Sequence, residues 1–398
     1  MFRSFIACLL ALVICCPTLA ADDDSYVVLV SLDGFRWDYA DAFDVPFFDR
    51  MAREGCAAVM EPSFPTKTFP NHYTLATGLV PDHHGIIGNQ FLDQQTGKVF
   101  SIGDTTVSHN PRYFRGEPLW NTAMRQGLKA ATIFWVGSDV PVQGMHPTYW
   151  HNYATEKIKF PDRVSEAIRL LQLPEQERPR LVMMYFEEPD ASGHRYGAVN
   201  SHTRRATEYM DSLMAVLWQR LQTLPFADKI NLIVTGDHGM TDVDPKRFIN
   251  INDVLPQRWV KRCCNDFPTL IYASAPQYVD SICDALQHVD HLRAWKRDAI
   301  PAYLRFGTDP NMGDVIALPD EGWVFAYAPK KELGSHGYDH LVADMQVAFR
   351  AIGPAFKSGY AKPDRFRNVC LYPLVCHLLG IAPAPNDGAL SEVSDLLR

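Results

Sequence analysis

The sequence is short of the features that mark several protein classes. Past its N-terminus it has no apolar run of about 18 or more residues, so no later stretch reads as a membrane span. It has no excess of basic charge: 38 Lys and Arg stand against 46 Asp and Glu, a formal net charge of −8. That excludes a general surface for coating duplex nucleic acid, which relies on a basic face. No CxxC pair occurs, so a structural thiolate zinc site is poorly served. No Asn-x-Ser/Thr acceptor occurs either, and N-glycosylation is not expected. Internal repeats and low-complexity segments are absent. What remains is 398 residues of ordinary globular composition, 47% hydrophobic, 21% charged and 12% aromatic. Such a chain has ample residues for a large core, and one α/β domain is the simplest reading.

Residues 1–20, MFRSFIACLLALVICCPTLA, combine Arg3, an apolar stretch from Phe5 to Cys16, and small residues at Thr18 and Ala20. This is the layout of a signal peptide, too short for a stable span, and it predicts export. Removal of it leaves Cys56, Cys263, Cys264, Cys283, Cys370 and Cys376. An even number in an exported chain suggests disulfides. The local spacings favour Cys370 with Cys376, and Cys263 or Cys264 with Cys283.

Tyr26–Leu32 (YVVLVSL) is almost wholly apolar and β-branched, the pattern of a strand covered on both faces. Ala131–Trp135, Leu181–Phe186, Ile230–Thr235 and Gln346–Ile352 read the same way. Between them Thr203–Leu221 carries Ala206, Met210, Leu213, Leu217 and Leu221 on one helical face, and Pro161–Leu171 is a shorter amphipathic helix. Strands alternating with helices predict a mainly parallel central sheet with helices on both faces. The stretch from about 255 to 330 is less regular and reads as a small inserted subdomain.

Ligands of open α/β sheets sit beyond the carboxyl ends of the strands. Asp33 follows the first strand directly, Asp190 follows Leu181–Phe186, and Asp237 follows Ile230–Thr235. His194 lies in DASGH, His238 in GDHG and His336 in GSHGYDH. A lone Asp after a strand is usually a helix cap and a lone His a hydrogen-bonded residue. Six of them at strand ends are enough for two divalent metals, and mixed Asp/His ligation suits zinc best.

PTKTFPNHY (Pro65–Tyr73) adds a hydroxyl. A threonine is a poor nucleophile unless its alkoxide is stabilised, which a zinc ion does. Spacing alone leaves both Thr66 and Thr68 open as nucleophile or as helix cap. Asn89, in GIIGN, is placed either to donate to a phosphoryl oxygen or to shape a turn beside Gly88.

Together SLDGFRWDY, PTKTFPNHYTLATGLVPDHHGIIGN, FWVGSDV, YFEEPDASGHRYG, TGDHGMTDV and GSHGYDH resemble, in order, the nucleotide pyrophosphatase/phosphodiesterase family of the alkaline phosphatase superfamily. The resemblance runs from residue 25 to about 388. It implies an alkaline-phosphatase-like core and a single phosphodiesterase catalytic domain over 25–398. It implies two zinc ions, one held by Asp190, His194 and His336, the other by Asp33, Asp237 and His238 with Thr68. The family places its nucleophile directly before Phe-Pro-Asn-His-Tyr, which selects Thr68, and it gives Asn89 the phosphoryl oxygens. The implied mechanism is in-line attack by Thr68, a covalent threonine ester, and hydrolysis.

The family divides between nucleotide and lipid head-group substrates. Phe69, after the nucleophile, and Tyr153, matching a family tyrosine that stacks on the base, point to nucleotides, as does FWVGSDV with Trp135. Val136 stands where proline is commoner, a departure within the base pocket. The expected partners are nucleoside triphosphates, dinucleotides and phosphodiesters. A lipid or choline phosphodiesterase of the same family is the alternative, and an exported metal-containing binding protein is the alternative of another class. A sulfatase is disfavoured because no Cys-x-Pro-x-Arg segment is present. The resemblance is to the catalytic domain alone, as in bacterial members, which implies a periplasmic or secreted location.

Overall fold

The computed structural model describes residues 24–329 and 331–398; the expected signal segment, with Cys8, Cys15 and Cys16, lies outside the described residues. Twelve strands carry the architecture: β1 (Tyr26–Leu32), β2 (Cys56–Glu61), β3 (Ala130–Ile133), β4 (Tyr149–His151), β5 (Leu181–Phe186), β6 (Ile230–Thr235), β7 (Val260–Cys264), β8 (Thr269–Ala273), β9 (Leu292–Lys296), β10 (Val315–Pro319), β11 (Val347–Ile352) and β12 (Tyr360–Ala361). The central sheet has the order β12-β2-β11-β6-β1-β5-β3-β4, with Phe366–Arg367 added beside β2. The most apolar strand, β1, lies inside it, parallel to both β5 and β6. β3 and β4 continue in the same direction. β11 alone turns back, antiparallel to β6 and β2.

The helices used below are α1 (Pro46–Glu54), α2 (Thr68–Thr77), α3 (Phe160–Leu171), α4 (Asp190–Tyr196), α5 (Ser201–Leu221), α6 (Tyr278–Gln287) and α7 (Leu371–Leu378). Side chains of β1 alternate between two cores, as a pleated strand demands. Val28, Val30 and Leu32 face α1, α3 and α5. Val27 and Leu29 join the core that contains α2 and α7. Every residue of β1 is therefore buried, which explains why its sequence shows no polar alternation. A separate antiparallel sheet, β7-β8-β10-β9, packs with α6 over its own apolar cluster.

Three expectations need correction. β3 stops at Ile133 rather than running to Trp135, because Phe134 takes a left-handed conformation (φ 65°) that ends the strand. β2, half-buried in alternation, escaped a search for all-apolar runs. Neither expected disulfide is formed; Cys56, Cys263, Cys264, Cys283, Cys370 and Cys376 are all free. Cys370 precedes α7 and Cys376 lies within it, and six residues at about 100° each point the two to different faces. Cys263 and Cys264 alternate across β7. Cys264 faces the main core, while Cys263 and Cys283 border the apolar cluster of the second sheet as separate thiols.

The long helix α5 is started by Asn200, whose side chain accepts from the His202 and Thr203 amides. Asn200→Ala is expected to lower stability by about 1 kcal/mol, the usual value of an N-cap, while Asn200→Asp retains most of it. Denaturant unfolding of the three proteins checks this.

Candidate active site and metal centre

The site forms where the topology brings chain ends together. Asp33, Asp190 and Asp237 leave the carboxyl ends of β1, β5 and β6, three adjacent parallel strands. His336 belongs to the segment before β11. Because β11 is antiparallel, it starts at the edge where its parallel neighbours finish, and its leading segment arrives there too. The approach is tight. Gly34 has φ 71°, and a Cβ on it would lie 3.0 Å from both Asp190 Cα and Cβ. Glycine is required on both counts.

Two groups of donors result: Asp190, His194 and His336, and Asp33, Asp237 and His238. Within the first, the His194 and His336 Nε2 atoms are 3.1 Å apart. Asp190 Oδ1 is 3.4 Å from His194 Nε2 and 3.7 Å from His336 Nε2. Within the second, His238 Nε2 is 3.0 Å from Asp237 Oδ2 and 3.4 Å from Asp33 Oδ1. The rings of His238 and His336 stack at 3.5 Å and join the groups.

The hydrogen bonds fix which atoms are free. His194, His238 and His336 each donate Nδ1–H to a backbone carbonyl, of Gly334, Gly239 and Thr66 respectively. Carbonyls only accept, so each Nε2 is left as a bare lone pair turned inward, the arrangement of a metal-ligating histidine. The aspartates follow the same rule. Asp33 Oδ2 accepts from the Tyr185 hydroxyl at 2.7 Å and Asp237 Oδ1 from the Gly34 amide at 3.2 Å. Asp33 Oδ1, Asp237 Oδ2 and Asp190 Oδ1 are buried without any hydrogen-bond donor. Three orphaned carboxylate oxygens beside three imidazole lone pairs are repulsive in a dry site. A divalent cation in each group removes the repulsion, and the donor set fits one.

Titration reflects this crowding. Burial, then the carboxylates of Asp237 and Asp190, push Asp33 well above the ordinary range. Burial, with the positive charge of Lys67 nearby, keeps His336 neutral. A neutral imidazole is the form that binds a metal.

Thr68 is the first residue of α2, and its Oγ1 lies 3.2 Å from His238 Nε2. Thr66 is differently engaged. Its hydroxyl donates to the Tyr338 carbonyl and accepts from the Gly337 amide, so the structure leaves Thr68 as the hydroxyl beside the cluster. Asn89 Oδ1 accepts from the Phe69 amide at 3.2 Å, next to that hydroxyl. Of the expected base-binding residues, Phe69, Trp135 and Tyr153 all line one cavity of about 260 Å³ with Asp33, Thr68 and Asp190. Tyr153 is 47% exposed, whereas Trp135 is only 1% exposed and donates its indole N–H to the His72 carbonyl. Trp135 is thus a core residue that reaches the cavity wall.

Residue-by-residue reading missed the supports. His72, fully buried, donates Nδ1–H to the Thr68 carbonyl and accepts from Ser31 at Nε2. Its Nδ1 is also 3.3 Å from Asp237 Oδ2, so one imidazole braces the helix start and an aspartate together. Tyr185 was read only as part of a strand, yet it orients Asp33. Lys67 pairs with Asp266 at 2.6 Å and ties the segment between β7 and β8 to the Thr68 loop. The signal for His72 was its place in NHY, four residues after Thr68 on a helix, hence on the same face.

The family model for Type I phosphodiesterase / nucleotide pyrophosphatase matches residues 27–339. The chain is 34% identical to ectonucleotide pyrophosphatase/phosphodiesterase family member 1 of Homo sapiens, over 96% of this chain and 43% of that protein. It is 34% identical to the venom phosphodiesterase CdcPDE of Crotalus durissus collilineatus, over 96% and 47%. The chain therefore spans about half the length of the curated relatives it matches. Among solved structures it is similar to murine ectonucleotide pyrophosphatase/phosphodiesterase 5, in an inactive threonine-to-alanine form in complex with AMP. There the TM-score is 0.89 at 31% identity, covering 94% of this chain and all of that one. The neighbours share the alkaline-phosphatase-like core.

Gly34→Ala is expected to lower stability by about 1–3 kcal/mol through backbone strain and the clash with Asp190. Added zinc is expected to raise the Tm of the parent protein and to raise that of Gly34→Ala by less. Thermal unfolding with zinc and with a chelator measures both.

Proposed function

The chain belongs to the type I phosphodiesterase / nucleotide pyrophosphatase family, and from that premise we propose that it is an exported two-zinc hydrolase. It would cleave phosphodiester and pyrophosphate bonds of nucleotides and release nucleoside monophosphates through a covalent ester on Thr68. The observation that carries this reading is the single hydroxyl of Thr68 set beside three orphaned aspartate oxygens and three inward imidazole lone pairs.

Asp190, His194 and His336 would hold one zinc and Asp33, Asp237 and His238 the other. When bound, the ions supply positive charge that lowers the pKa of the Thr68 hydroxyl and offsets charge on the phosphoryl group. Thr68 Oγ1 attacks phosphorus in line with the leaving oxygen. The bond to the leaving alcohol or pyrophosphate breaks, and the leaving group takes up a proton. A water molecule then opens the phosphothreonine ester and restores the hydroxyl. His72 holds the Thr68 carbonyl, which fixes the nucleophile's backbone through the cycle. The Asn89 side chain, anchored on the Phe69 amide, turns its Nδ2 hydrogens to the phosphoryl oxygens. Positioning of this kind is most of what a protein contributes to phosphoryl transfer.

The cavity walled by Phe69 and Tyr153 supports a nucleotide, since an aromatic face accepts any base. Relatives named for nucleotide pyrophosphatase activity, and a neighbour holding AMP, point the same way. The "ecto" and venom names of the relatives support export. Among the described residues no helix is long and apolar enough to cross a membrane. We further take residues 25–398 to be one catalytic domain, with the β7–β10 sheet as the inserted subdomain within 255–330.

Zinc-loaded protein is expected to turn over nucleoside triphosphates, dinucleotides and nucleotidyl esters faster than a choline phosphodiester, with two zincs per chain by metal analysis. Faster choline-ester cleavage would transfer the site to head-group chemistry. Thr68→Ala is expected to lower turnover by on the order of a thousand-fold or more while zinc content stays at two. Activity that survives the substitution would remove the threonine ester.

A further inference from the structure

His336 lies in a stretch that a sheet ladder holds only at its start. Residues 334–340 are all buried, yet of these Gly334 and Ser335 alone belong to a strand, paired with Asp242 and Thr241. A buried irregular segment must find partners of another kind. On the side of the central sheet it finds Thr66, whose carbonyl accepts the His336 Nδ1–H and whose hydroxyl accepts the Gly337 amide. Beyond that point the partners change. Each of the three residues after His336 meets the inserted subdomain.

Gly337 is wedged against the turn between β7 and β8. A Cβ on it would lie 2.6 Å from the Phe267 carbonyl oxygen, 2.7 Å from Phe267 Cβ and 2.8 Å from Lys67 Cδ. The residue before Phe267 is Asp266, which pairs with Lys67 at 2.6 Å, so the turn is pinned where it touches Gly337. Tyr338 sets its ring beside that of Phe267, with centroids 5.6 Å apart, and donates its hydroxyl to the Trp323 carbonyl at 3.0 Å. Asp339 is the third hold. Its Oδ2 accepts from the Tyr303 hydroxyl at 2.7 Å and from Arg293 Nη1, on β9, at 3.0 Å.

The same stretch supports a second ligand, because the Gly334 carbonyl accepts the His194 Nδ1–H. Two of the three donors in the Asp190, His194 and His336 group therefore lean on it. The other group is held differently: Tyr185, the Gly34 amide and the Gly239 carbonyl, which orient Asp33, Asp237 and His238, all belong to the central sheet and its edge loops. We propose that the inserted subdomain, gripping residues 337–339, positions His336 and His194 and so sets the cation affinity of their group alone. This rests on the two-zinc reading above and goes beyond it. Asp339 is a positioning residue, three places along the chain from the ligand it steadies. Loss of such outer partners costs a metal site about 10–100-fold in affinity.

The test is zinc competition against a chromophoric chelator, on the full chain. Wild type is expected to hold two zincs. Asp339→Ala releases Arg293 and Tyr303, both already partly in solvent. It is expected to weaken one zinc about ten-fold and to leave the other within about two-fold. Tyr303→Phe, which deletes one donor on an exposed residue, is expected to weaken the same zinc about three-fold, the equivalent of one hydrogen bond. In a His336→Ala background Asp339→Ala is expected to leave the remaining zinc unchanged. Tyr360→Phe is the matched control: it deletes an equal 2.7 Å bond to Asp395, at the opposite edge of the central sheet, and both zincs are expected to stay as they were. Equal weakening of both zincs, no weakening of either, a shift of the remaining zinc in the His336→Ala background, or a weakened zinc in Tyr360→Phe would overturn the proposal. Should Asp339→Ala fail to fold, Tyr303→Phe decides alone. Wild-type protein that holds fewer than two zincs overturns the two-zinc reading, and this inference with it; that outcome is read before any variant is made.

Discussion

Three aspartates placed at the ends of adjacent strands impose the central constraint on this molecule. Asp33, Asp190 and Asp237 each turn an oxygen without a donor into one buried space, where His194, His238 and His336 add lone pairs. A buried carboxylate without a counter-charge costs several kcal/mol. The fold tolerates the arrangement because the surrounding sheet is over-determined: β1 is buried on both faces and paired along its whole length to β5 and β6. The concentration of negative potential makes the space a place for cations, and the Thr68 hydroxyl is set beside it.

Around this centre the same device recurs. Each important group spends one polar atom on a rigid backbone or buried partner and turns the other inward. The three histidines do so through Nδ1, Asp33 through Tyr185, Asp237 through the Gly34 amide, and Asn89 through the Phe69 amide. His72 carries the principle one layer further out, bracing Thr68 and Asp237 from a position that no substrate reaches. In the proposed reaction little is asked of these groups beyond staying still, which suits phosphoryl transfer. The cavity beside them differs in character: it is walled by rings, of which Tyr153 is the most exposed.

Much of the centre was legible because its logic is local. A fully apolar strand followed by Asp is a one-dimensional pattern, and so are DASGH, GDHG and GSHGYDH. Their meeting required only that the strands be neighbours. Elements whose character depends on partners distant in sequence were less visible. β2 alternates buried and half-exposed residues and gives a weak periodic signal. The cysteine spacings suggested pairs that the structure does not form: Cys370 and Cys376 face different ways, Cys264 lies in a different core from Cys283, and Cys263 borders the core of Cys283 yet stays free. Trp135 reads as a stacking surface in the sequence, yet it is sealed into the core by its bond to the His72 carbonyl.

The amino-acid order alone determined the class of fold, the six ligand-type residues and a threonine loop, because hydrophobic periodicity and strand-end placement are properties of short segments. It could not choose between Thr66 and Thr68 on spacing, since both hydroxyls occur within one short loop. The folded chain decided that: the Thr66 hydroxyl is consumed by Tyr338 and Gly337, and the Thr68 hydroxyl is left beside His238. Only three-dimensional placement could show which carboxylate oxygens lack donors, and that the Tyr185 hydroxyl orients Asp33. Hydrogen-bond satisfaction depends on neighbours that arrive from far along the chain.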